Sequence, residues 1–140
     1  MFIKKAFSIE EQDVILVTAV DNSQSQRSSS WSTCGGMNTE DKVFLLSFAE
    51  ANRYYGVTWG NGSTNRKSRV APTAYVARKG VFTERCSKTF GGETASWWWL
   101  RSPGGEQNVA AIVGTSGSLR YCDVDHNNVV VRPAMWGRYH

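Results

Sequence analysis

WWWLRSPGGEQNVAAIVGTSGSLRYCDVDHNNVVVRPAMW, residues 97–136, is the stretch that decides the fold class. Trp97-Trp98-Trp99-Leu100-Arg101 has the aromatic and apolar content of a strand, and Ser102-Pro103-Gly104 stops it. In such a strand Trp97 and Trp99 share one face while Trp98 and Leu100 share the other. Burying both faces would demand partners for three successive indole N–H groups, so at least one indole is expected at a rim. Val109 to Val113 and Ser118 to Val124 form a hairpin around Gly114-Thr115-Ser116-Gly117. Asp125 to Asn128 makes a further turn, and Val129 to Ala134 reads as a closing strand.

Upstream of this sheet the signals change. Ser8 caps a short helix, with Glu11 three residues on completing a capping box. Val14 to Val20 is β-branched and apolar, a strand or its approach. Asp21 to Ser32 is dominated by Ser, Gln and Asn and reads as a long mobile loop too hydrophilic to pack. Thr39 to Lys42 leads into a short apolar strand, Val43 to Leu46. Ser47 caps a second helix, Phe48 to Tyr55, with Glu50 as its capping-box partner and Gly56 as its stop. From Val57 to Gly92 periodicity fades, with Gly60, Gly62, Gly80, Gly91 and Gly92 interrupting every candidate element. Irregular segments of that length inside a compact domain are usually functional or ligand-facing. The expectation is one α+β domain over residues 1–140, with two short N-terminal helices, a loop-rich middle and a C-terminal antiparallel sheet.

Composition narrows the function. The 140 residues are 41% hydrophobic and 20% charged, a globular balance. No apolar run approaches the roughly 18 residues of a membrane helix, and no apolar h-region follows the two lysines near Met1. The net charge of +4 is scattered. Its densest stretch, Arg66-Lys67-Ser68-Arg69, reads as a solvated loop, so nucleic acid is not the expected partner. Cys34, Cys86 and Cys122 show no zinc spacing and leave redox state and compartment open.

TEDKVFLLS (39–47), APTAYVARKG (71–80), WWLRSPG (98–104) and VRPAMW (131–136) occur in a distinctive order. Together with AFSIEEQ (6–12) they resemble a large bacterial and phage family of unknown function, whose signature is WWLRSPG followed by VRPALW. The resemblance implies a C-type-lectin-like fold. It also implies a module found on surface-exposed or repeat-bearing proteins, or associated with phage. Some lectin-fold relatives are targets of diversity-generating retroelements. Members of the family usually carry a further N-terminal strand and helix, which do not precede Met1, so a fragment or an N-terminally shortened member is expected.

Within the two matched motifs, Trp98, Trp99, Arg101, Pro103, Arg132, Pro133 and Trp136 are expected to be structural. Arg101 and Arg132 would use their five donors to satisfy loop carbonyls. Trp97, the extra indole, is either a core edge or a ligand platform. A variable binding face is expected from Trp97, Asn108, Tyr121, Asp123, Asp125, His126, Asn127 and Asn128. Adenine randomisation of asparagine-type codons gives Tyr, Asp, His, Ser and Asn, although ordinary polar turns use much of the same alphabet. On that reading alanine at Trp97, Tyr121 or His126 removes binding and leaves the melt nearly intact.

Asp123, Asp125 and Asn127 alternate as calcium ligands do, but an EF-hand would need Gly and an acid where Asn128 and Ala134 stand. No cofactor is therefore expected, with calcium kept as an alternative. His126 is the only internal histidine, no nucleotide-binding glycine motif occurs, and Glu40, Asp41, Glu50, Glu84 and Glu93 have no spacing that pairs two for glycoside hydrolysis. The expected function is a non-catalytic module that binds a protein or glycan on a cell surface. A structural or adhesin domain without a ligand and a degenerate enzyme on a lectin-like core are the alternatives. Ligand identity and oligomeric state stay open.

Overall fold

A computed structural model describes residues 2–60, 66–85 and 94–138. Cys86, Gly62, Gly91, Gly92, Glu93 and His140 lie outside the described residues. The chain is α+β, with short helices and small antiparallel sheets.

Helices α1 (Phe2–Ala6) and α2 (Ile9–Val14) open the chain, and Ser8 caps α2 in a complete capping box with Glu11. Strand β1 (Thr18–Val20) pairs with β2 (Thr39–Asp41). Helix α3 (Phe48–Tyr55) starts at a second capping box, where the Ser47 hydroxyl accepts from the Glu50 amide and Glu50 accepts from the Ser47 amide. Gly56 closes it in the left-handed conformation at φ 69, a position that costs a glycine nothing. Helix α4 (Ala74–Arg78) and the paired strands β3 (Thr83–Arg85) and β4 (Thr94–Ser96) give the middle region more order than its glycines suggested.

The central sheet is β5 (Trp98–Pro103), β6 (Val109–Val113) and β7 (Leu119–Asp123), antiparallel and in that order. Alternation along β5 buries Trp98, Leu100 and Ser102 and leaves the residues between them half-buried. Trp98, Val113 and Leu119 therefore face α3 in a core with Leu46, Ala51, Val57 and Val130. On the opposite face Ile112, Cys122 and Val129 form a smaller cluster with Trp97 and Trp99 against it. Trp98 is fully buried, and its indole N–H donates to the Ser68 carbonyl at 2.9 Å, satisfying the one polar group such burial would strand.

Four expectations need correcting. The Asp21–Ser32 tract packs: it contains a 3₁₀ turn at Gln24–Gln26, Ser28 is buried, and the Gln26 carbonyl accepts from Ser102 at 2.8 Å. A hydrophilic tract of this kind is held by hydrogen bonds to the sheet rather than by apolar burial. Val43 to Leu46 is not a continuous strand. Phe44 bridges Ala134, while the Leu46 carbonyl accepts from the Arg101 amide at 2.9 Å. The closing segment after Val129 is likewise a ribbon of isolated bridges, Val130 to Trp98, Ala134 to Phe44 and Gly137 to Ile15. Pro133 has no N–H to give, which breaks any ladder there. Finally, Arg66–Ser68 forms a 3₁₀ turn with Ser68 buried, so only part of that basic stretch is solvated.

Candidate functional site

Strand alternation sorts the expected binding residues. Tyr121 and Asp123 stand two apart on β7 with Cys122 between them, so they share the face that carries Leu119. Leu119 is buried toward α3, and the strand then runs out of the core, leaving Tyr121 at 61% exposure and Asp123 exposed. The turn between β5 and β6 brings Asn108 alongside, because the Val124 amide donates to the Asn108 carbonyl at 2.9 Å. Asn108, Tyr121 and Asp123 line one cleft of about 430 Å³ together with Trp31, Gly105, Glu106 and Val109.

Trp31 forms the aromatic wall. Its ring meets Tyr121 edge-on at 5.9 Å and Trp59 at 4.8 Å. The Trp59 indole N–H donates to the Ser28 hydroxyl at 3.0 Å, and the Trp31 amide to the Ser28 carbonyl at 3.1 Å. One buried serine thus holds both tryptophans. Gly105 lets the wall close up: a Cβ there would lie 3.3 Å from Trp31 Cδ1. Two carboxylates and a carboxamide line the cleft, and no Lys, Arg or His does so among the described residues.

The other expected residues are elsewhere. Trp97 lies on the opposite face of the sheet, its ring 4.3 Å from that of Phe82 and packed on the Ile112 cluster. Asp125, His126 and Asn127 are exposed in the turn beyond β7, where the His126 amide donates to the Asp123 carbonyl at 3.1 Å. Asn128 is half-buried, and its carbonyl accepts from the Phe82 amide at 2.9 Å. None of these five lines the cleft. Four lining residues stand outside the expected binding set: Trp31, Gly105, Glu106 and Val109. The signal for Trp31 was a lone indole in the Ser-rich run SSSWST (28–33).

Arg101 ties three segments together. It donates to the Asp21 carbonyl at 2.9 Å, Asn22 Oδ1 at 3.1 Å, the Leu45 carbonyl at 2.8 Å and both oxygens of Glu50. Burial pushes the Glu50 carboxyl up, but the Arg101 hydrogen bond, the Ser47 amide and the Arg101 charge hold it below the ordinary glutamate range. The Ser23 amide and hydroxyl, with Arg101 further off, likewise hold Asp21 down. Arg132 instead lies over the rings of Tyr55 at 4.5 Å and Trp98 at 4.9 Å. Its Nη1 is buried without an acceptor among the described residues. Arg132 and Glu50 border a second cavity of about 390 Å³ with Phe44, Tyr54, Pro133 and Trp136.

The remaining carboxylates are occupied or open: Glu84 accepts from Thr115 Oγ1 at 2.6 Å, Asp41 accepts from Thr39 Oγ1 at 2.6 Å, and Glu40 is exposed. Among the described residues, no three His, Cys, Asp or Glu side chains converge to hold a metal ion. Cys34 and Cys122 are free thiols; burial pushes the Cys122 thiol up, helped by the charge of Asp123. No described helix is long and apolar enough to cross a membrane.

The chain belongs to a family described as a domain of unknown function (DUF6273), matched over residues 1–136. No curated protein and no solved structure matches it significantly.

Proposed function

We propose that this chain is a non-catalytic ligand-binding module of C-type-lectin-like architecture, and that the cleft between Trp31 and Tyr121 is its binding site for a surface glycan. The observation that carries this reading is the meeting of an exposed phenol, an indole wall, a carboxamide and two carboxylates in one cleft of about 430 Å³. A sugar ring offers apolar C–H faces and a rim of hydroxyls. Tyr121 and Trp31 supply surfaces for the faces, while Asn108, Asp123 and Glu106 supply directional partners for the hydroxyls. The cleft side chains at 108, 121 and 123 are exposed, one in the turn before β6 and two at the end of β7, so they can change without disturbing the core. That is the condition a diversified receptor face requires. A near-copy of these codons differing only at adenines, beside a reverse transcriptase gene, is the mark of such a system.

The test is a glycan and protein array probed with the wild-type chain, Tyr121→Ala and Asn108→Ala, with a thermal melt of each. The expected result is a glycan signal that either substitution abolishes, with melts within about 2 °C of wild type because both side chains are exposed. A glycan signal that survives both substitutions refutes this site, and binding confined to proteins refutes the glycan.

A further inference from the structure

Charge in the cleft narrows the ligand, given that the cleft is the binding site. The chain carries 16 Lys and Arg against 12 Asp and Glu. In this basic molecule the cleft is an exception, with Glu106 and Asp123 in its lining and no cationic side chain there. Neither carboxylate is held in an ion pair among the described residues, in contrast to Glu50, which Arg101 neutralises. The aromatic wall adds a second attraction of the same sign. Trp31 meets both Trp59 and Tyr121 in T-shaped, edge-to-face contacts, at interplanar angles of 79° and 87°. Rings held edge to face around a cleft present more than one π-surface to an occupant, and those surfaces attract cations as well as C–H bonds. A neutral sugar could donate its hydroxyls to both carboxylates but would bring no counter-charge to either of them. An anionic sugar would be repelled by them.

We infer that the cleft recognises a saccharide bearing a free ammonium group, an amino sugar that is not N-acylated. Its ammonium lies between Asp123 and Glu106 and its ring lies against Tyr121 and Trp31. Asn108, at the mouth beside the end of β7, serves a neighbouring hydroxyl.

The experiment compares two oligosaccharides that differ only in charge. Tetraglucosamine and tetra-N-acetylglucosamine are titrated into the full chain at mildly acidic pH, where the free amines are protonated, with binding read by tryptophan fluorescence and calorimetry. Tetraglucosamine should bind roughly tenfold or more tightly, the sum of two solvent-exposed charge pairs and a cation–π contact. The preference should shrink in about 1 M salt, where the Debye length falls to about 3 Å. Glu106→Gln and Asp123→Asn, both exposed and near-isosteric, should each weaken tetraglucosamine about threefold to fivefold and leave the melt unchanged. Equal affinity for the two oligosaccharides overturns the ammonium and leaves the glycan site standing. Tetralysine binding as tightly as tetraglucosamine overturns the sugar. If neither oligosaccharide binds while another array glycan does so through Tyr121, the inference fails alone; if no glycan binds, the cleft reading fails with it.

Discussion

Replacing Arg101 by methionine tests how the three segments it joins are held together. Arg101 lies on β5, and its guanidinium reaches Asp21 and Asn22 at the start of the polar tract, Leu45 before α3, and Glu50 on α3. Its side chain is 11% exposed and that of Glu50 28%. Methionine fills much of the stem's volume but leaves the Asp21 and Leu45 carbonyls without their donor and the Glu50 carboxylate without its counter-charge. Breaking a fully buried pair costs about 3–5 kcal/mol; the partial exposure of Glu50 reduces this to about 2–4 kcal/mol. For a chain of this size that is a fall in Tm of roughly 6–12 °C. Arg101→Lys keeps the charge and loses the fork, and should fall between methionine and wild type. In the double variant Arg101→Met/Glu50→Gln the loss should be smaller than the sum of the two singles, since no unpaired carboxylate remains. Circular-dichroism melts and guanidinium titrations read wild type, the three single variants and the double variant. A loss below about 1 kcal/mol for Arg101→Met, or strict additivity in the double variant, would refute the reasoning.

The other expectations concern the same frame. The folded-state pKa of Glu50 is depressed, so its contribution to stability is complete above the unfolded value, about 4.3, and is lost as pH falls through the lower folded value. Glu50→Gln should therefore flatten the dependence of Tm on pH below about 5, and an unchanged acid slope would contradict the pairing. Arg132→Lys removes a planar cation from between Tyr55 and Trp98 and should cost about 1–2 kcal/mol; an unchanged melt would end its structural assignment. Trp97→Ala should cost about 2–3 kcal/mol by emptying the space beside Phe82, while affinity at the cleft, measured well below Tm, stays as in wild type. A normal melt with lost binding would put Trp97 back in the binding face.

What could be read from the sequence was what local chemistry decides. Both capping boxes, Ser8 with Glu11 and Ser47 with Glu50, are satisfied within four residues and formed as the spacing required. So did the β6–β7 hairpin, whose four-residue turn includes Gly117 at φ 84. Period-2 alternation in β5 separated Trp98 from Trp97 and Trp99 correctly. The misreadings lie where distant partners decide. Asp21 to Ser32 has a loop's composition, yet Arg101 and Ser102, some 75–80 residues later, supply its hydrogen bonds. Val43 to Leu46 and Val129 to Ala134 have strand composition, but each finds only isolated bridges.

The proposed binding face was half legible for the same reason. Tyr121 and Asp123 stood out by the polar residue set of the last hairpin, between the matched motifs. Trp97 directly precedes β5, with β6 between it and β7, and packs on the other face; Trp31 is 90 residues from Tyr121 in sequence. Only the register of β6 with β7 and the anchoring of both tryptophans on Ser28 bring the aromatic wall to the cleft.

The most direct test of the central claim is nuclear magnetic resonance mapping of bound ligand on the six tryptophan indole N–H signals and the backbone amides. Saturation with the strongest array glycan should shift Trp31, Trp59, Gly105, Asn108, Tyr121 and Asp123 and leave Trp97 and Trp98 in place. Shifts concentrated at Tyr54, Arg132 and Trp136 instead would move the site to the second cavity and contradict the account.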